Sequence, residues 1–189
     1  MSKLPIQLNV FLHKDLRDID ENLLYIQYFD WLTDTISRIS DRVMDVHFIK
    51  PEDAPAICTY DYKTDDLQQL MDGAYETLLK YLNENFDDYG NDALHKYLLL
   101  TRDDINKKTL GVAHTPGLFG IASTTSRITA SHEVGHLLNA RHEDSAERNE
   151  TYMGNGPFKS IMTAVSSKQA FVFSDKNEEN IRNYLNQFD

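Results

Sequence analysis

Between residues 132 and 142 the chain reads His132-Glu133-Val134-Gly135-His136-Leu137-Leu138-Asn139-Ala140-Arg141-His142, a spacing that demands a helix with an abrupt end. Four residues of α-helix turn the chain by about 400°, which puts His132 and His136 on one face about 6 Å apart. Two imidazoles so placed can share one metal ion. Continued to residue 142, the same helix would swing the third imidazole about 240° away. A shared ion therefore requires the chain to reverse after His136. Asn tolerates the left-handed conformation that ends a helix better than any residue but Gly, and Asn139 stands where the reversal is needed. Glu133 lies about 100° round from His132, placed to reach a metal-held water without becoming a ligand. Three neutral imidazoles leave one tetrahedral position of a zinc ion open, as in catalytic sites. A lone His-Glu-x-x-His also arises by chance on polar helices. With 7 histidines in 189 residues, chance puts one at a chosen further position about one time in 27, and here it comes with a turn-compatible Asn.

Composition frames the setting. A chain of 189 residues with 41% apolar content fits one domain able to bury a real core. The expected division is an upper lobe over about 1–138 and a lower lobe over about 139–189, around a cleft. A net charge of −11 argues against nucleic acid and anionic membrane surfaces as partners. Lys107-Lys108, without aromatic neighbours, reads as a polar loop. Cys58 is the single cysteine and can form no internal disulfide. It sits in a strand-like run, Ala56 to Tyr60, and reads as a buried structural thiol; a thiolate capping zinc in a latent form is the alternative. The N-terminus lacks the apolar core of a signal peptide, and no stretch is apolar enough to insert in a membrane.

The apolar pattern alternates between strand and helix periods, as in an α/β domain. Strands are expected at Ile6 to Leu12, Val43 to Ile49 and Lys96 to Thr101, the last of them central. Long helices are expected at Glu21 to Ser40 and Asp65 to Phe86, the zinc helix at about Thr124 to Leu138, and a closing helix at about Asp175 to Gln187. The acidic turn at 87–92 lacks the bidentate Glu of an EF-hand loop and reads as solvated. His13, His47, His95 and His114 show no ligand spacing among them, but His114 closes the expected strand Leu110 to His114.

The zinc stretch, followed by Ser160-Ile161-Met162-Thr163, resembles the metzincin metallopeptidases, with their extended histidine motif (HExxHxxxxxH here) and downstream methionine turn. The order Leu98 to Thr101, Gly111 to Ala113, Gly120 to Ala122 and Phe173 to Asp175 is similar to the adamalysin (reprolysin) branch, over about residues 95–188. Three departures stand out: Asn139 for the family glycine, Glu143 for the usual Asp, and Ala164 where a proline commonly follows the methionine. Adamalysins are also usually disulfide-bonded, and this chain is not. No tyrosine follows Met162 by two residues, so no tyrosine ligand is expected.

The resemblance implies an α/β (α+β) fold: a twisted mixed β-sheet with backing helices, an active-site helix and a smaller C-terminal subdomain ending in a helix. It also implies a zinc-dependent endopeptidase. His132, His136 and His142 would be the metal ligands, Glu133 the general base and Met162 an apolar floor. Gly111, Val112, Ala113 and His114 would form an edge strand that adds a substrate chain through main-chain hydrogen bonds, and Thr163, Ala164 and Val165 would wall a side-chain pocket. The expected partner is a protein or peptide substrate; an inhibitor or pro-segment outside this chain is a further partner class left open. Secretion or export is what the resemblance favours. Two other classes remain: a non-catalytic zinc-binding interaction domain, and a zinc-dependent amidase acting on a non-protein substrate.

Overall fold

The structure is a computed structural model and describes residues 3–86, 93–148, 157–164 and 169–188. The acidic turn at 87–92 and Val165 lie outside the described residues. The frame is a five-stranded sheet in the order β2-β1-β3-β5-β4. It comprises β1 (Ile6–Leu12), β2 (Met44–Ile49), β3 (His95–Thr101), β4 (Gly111–Ala113) and β5 (Phe119–Ser123). The first three and β5 run parallel, and β4 lies antiparallel along β5 at the edge. β3 is thus the central strand expected from its apolar run, and all but its first residue are buried.

Side-chain alternation sends successive residues to opposite faces, and both faces are covered. Ile6, Leu8, Val10 and Leu12 of β1 join Leu98 and Leu100 of β3 in one core. That core is closed by α1 (Glu21–Leu24), α2 (Asp30–Ser40), α5 (Thr129–Leu137) and α6 (Asp175–Leu185). Phe11, Tyr97, Leu99, Phe119 and Ile121 face the other way, against α3 (Pro55–Cys58) and α4 (Leu67–Asn85). The two long helices read from sequence therefore flank the sheet from opposite sides. The Glu21 to Ser40 helix is interrupted by a π turn, Tyr25–Phe29. The Tyr28 carbonyl there accepts from Ser131 Oγ of α5 at 3.3 Å, and Tyr28 Oη donates to the Thr124 carbonyl at 2.8 Å. A short hairpin of β6 (Glu147–Arg148) and β7 (Phe158–Lys159) precedes α6.

Three expectations need correction. The run around Cys58 is not a strand: with Pro55 at the first helical position it forms the single turn α3, because Pro has a preset helical φ and lacks only an N–H that would be orphaned there. The zinc helix expected from about Thr124 starts at Thr129, five residues late, because Thr124 and Thr125 hydrogen-bond to Thr101, Arg102 and Asp104 at the end of the sheet. β4 ends at Ala113, so His114 is outside the strand. Among the described residues, no helix is long and apolar enough to cross a membrane.

Candidate metal centre

α5 carries His132 and His136, and its end sets the site. Asn139 adopts φ 75°, as the sequence required. Its N–H donates to the His136 carbonyl at 2.9 Å, and the Ala140 N–H reaches back to the Gly135 carbonyl at 2.8 Å. That pair of hydrogen bonds is the Schellman closure, which satisfies the last helical carbonyls while reversing the chain. The reversal brings His142 back over the helix. The three Nε2 atoms form a triangle with sides of 2.9, 3.0 and 3.2 Å.

The far side of two rings explains what that triangle is. His132 Nδ1 donates to the Ile161 carbonyl at 2.8 Å, and His136 Nδ1 to the Ala140 carbonyl at 2.9 Å. A carbonyl can only accept, so each Nδ1 carries the proton and each Nε2 presents a lone pair. Lone pairs gathered this closely repel one another and suit a shared cation. Tetrahedral zinc with Zn–N bonds of 2.0–2.1 Å would set its nitrogens about 3.3 Å apart, close to the sides seen. Desolvation, reinforced by the neighbouring rings, pushes the His132 pKa down to about 3 and that of His136 to about 4. Both stay neutral at physiological pH, as a metal ligand must. Among the described residues this is the one cluster of three or more His, Cys, Asp or Glu groups able to hold a metal ion.

Glu133 is 5% exposed. Burial pushes its carboxyl pKa up to about 8. It lies against the edge strand: a Cβ built on Gly111 would stand 2.6 Å from Glu133 Oε1. Behind α5, Ser160 to Thr163 forms a turn closed by the Thr163 N–H on the Ser160 carbonyl at 3.1 Å. Met162 is fully buried, with its Sδ 2.8 Å from where a Gly135 Cβ would be. The turn thus both packs under the helix and offers the carbonyl that orients His132.

A cleft of about 490 Å³ opens over these groups, lined among others by Gly111, Val112, Ala113, Thr163 and Ala164. His114 is not in it; its ring stands edge-on to Tyr75 of α4, centroids 5.9 Å apart. Cys58 belongs to the core on the opposite face of the sheet, fully buried, with burial pushing its thiol pKa up to about 12. A protonated thiol held there is no zinc cap, which bears out the structural reading.

Two positioning residues escape a reading by motif. Gln169 Nε2 donates to the Ile161 carbonyl at 2.9 Å and to the Thr163 carbonyl at 2.7 Å, fixing the turn behind His132. Asn177 of α6, fully buried, accepts from the Arg141 N–H at 2.7 Å and donates to its carbonyl at 3.0 Å. It therefore clamps the peptide next to His142. Both act across long gaps in sequence, and neither spacing carries a local signal.

Comparison with protein-family models and with curated proteins finds no match for the chain.

Proposed function

We propose that the chain is a zinc-dependent endopeptidase of the metzincin type, nearest the adamalysin branch, hydrolysing peptide bonds of protein or peptide substrates. One observation carries the reading: a buried carboxyl group, Glu133, sits beside three converging imidazole Nε2 atoms, on a cleft bordered by an edge strand. The donor set fits zinc, with His132, His136 and His142 as ligands.

When bound, zinc would supply a Lewis acid, an acidified water and a positive charge that draws the Glu133 pKa down from about 8 toward neutrality. Near neutrality a carboxyl group can both take and return a proton. Glu133 receives the proton of the attacking water on its carboxylate and returns it to the departing amine nitrogen. β4 pairs with β5 on one side only, which leaves its outer edge to hydrogen-bond an extended substrate. Thr163 and Ala164 border the side-chain pocket, and Met162 supports the helix from below.

The test is Glu133→Gln in zinc-loaded protein acting on a denatured protein. One zinc per chain should remain while cleavage falls by orders of magnitude; undiminished turnover removes Glu133 as the base. Chelator should abolish the wild-type activity. Stoichiometric zinc without any cleavage points to a binding domain, and turnover confined to non-protein amides points to an amidase.

A further inference from the structure

We infer that Lys108 forms a substrate subsite selective for an acidic side chain; this rests on the peptidase reading above. The loop before β4 is pinned to the body of the domain. The Ile105 N–H donates to the Thr109 carbonyl at 3.0 Å, and Asn106 Nδ2 to the Thr64 carbonyl at 2.9 Å. The Lys108 N–H is held by Asn106 Oδ1 at 2.9 Å, so the lysine projects from a fixed turn. It lines the cleft beside the half-exposed Leu110, at the end where β4 begins. Several cations of this acid-rich chain find carboxylates, among them Arg38 with Glu178, Lys50 with Glu21 and Lys159 with Glu147. Lys108 has no such pair among the described residues. The cleft's single described carboxylate, Glu133, is buried and committed to the metal side. An acidic substrate residue would supply the missing partner.

The net charge of −11 opposes acidic substrates at long range, but it is screened beyond about 8 Å at physiological ionic strength, whereas a contact with Lys108 is not. Solvent-exposed pairs are weak, so the preference is expected to be about threefold.

The experiment digests a mixed peptide library with the zinc-loaded full chain and sequences the cut sites. Wild type and Lys108→Arg should favour Asp or Glu over Lys at one position flanking the cut, and Lys108→Glu should reverse that preference, a swing of about tenfold. An identical profile in Lys108→Glu overturns this inference and leaves the peptidase reading standing. Failure to cut any peptide overturns both.

Discussion

Gly111 and Glu133 touch across the cleft: a Cβ on the strand residue would stand 2.6 Å from the carboxylate oxygen, 2.7 Å from its Cγ and 2.8 Å from the Ile121 carbonyl. The edge strand and the Glu133 carboxyl therefore share space that only a glycine leaves free. Gly111→Ala must either push Glu133 aside or shift β4, since the Ile121 backbone cannot yield. Displacements of about 1 Å at a reacting group cost about 10²-fold. The expected result is a loss of that order in kcat/KM with one zinc per chain retained, and overpacking that lowers stability by about 1–3 kcal/mol. Full activity in the variant would show that Glu133 does not need its observed position.

The same burial makes stability depend on pH. In the metal-free chain, His132 and His136 have folded pKa values of about 3 and 4, below an ordinary value near 6.5, so the unfolded state binds more protons as pH falls. Their contribution is present above pH 6.5 and is lost on acidification through about 4 for His136 and about 3 for His132. Glu133 works in the opposite sense: raised to about 8, it favours the folded state below its unfolded value near 4.5 and loses that contribution as pH rises to 8. Two histidines outweigh one carboxyl between 4.5 and 6.5, so the site's contribution peaks near pH 6.5. Thermal melts of metal-free protein should show Glu133→Gln relieving the alkaline decline and steepening the acid limb between pH 4.5 and 6.5, where the carboxyl no longer opposes the two histidines. Parallel curves for the two proteins would refute this.

Asn177 offers a way to loosen one of the three clustered histidines, the proposed ligand His142, without touching it. Asn177→Ala removes both hydrogen bonds to the Arg141 backbone, at about 1–3 kcal/mol for the two together. Loss of such outer support typically weakens metal binding by about 10–100-fold. Zinc titration against a chromophoric chelator should show that loss, and Asn177→Asp, which keeps the acceptor for the Arg141 N–H, should recover part of it. Equal affinity in all three proteins would reduce Asn177 to a packing role.

Gly135 and Met162 form a second close contact at a glycine. A Cβ on Gly135 would meet Met162 Sδ at 2.8 Å and Phe173 Cε1 at 3.0 Å. A thioether can move more readily than backbone, so Gly135→Ala should cost about 1–3 kcal/mol and displace the Met162 turn. Because that turn's Ile161 carbonyl holds His132, weaker zinc binding should accompany the lower Tm, and Gly135→Ala combined with Met162→Ala should restore part of both. A drop in Tm with unaltered zinc affinity would separate the turn from the metal.

The amino-acid order alone determined the features that depend on neighbours along the chain. The period of Ile6 to Leu12 and the unbroken apolar run of Leu98 to Leu100 marked strands, since alternation and two-sided burial leave a local trace. The helix stop at Asn139 was legible because backbone sterics allow few residues a positive φ, and the HExxH spacing because 3.6 residues per turn fixes which side chains align. The sheet order, the late start of α5, the turn of helix at Cys58 and the departure of His114 toward Tyr75 were settled by tertiary structure. The same holds for Gln169 and Asn177, which support the histidine cluster from 37 and 35 residues beyond His132 and His142, and for Lys108, a polar loop residue in sequence that borders the cleft in space. Such contacts join segments far apart in the chain, and no periodicity records which buried amide will meet which carbonyl until the core has packed.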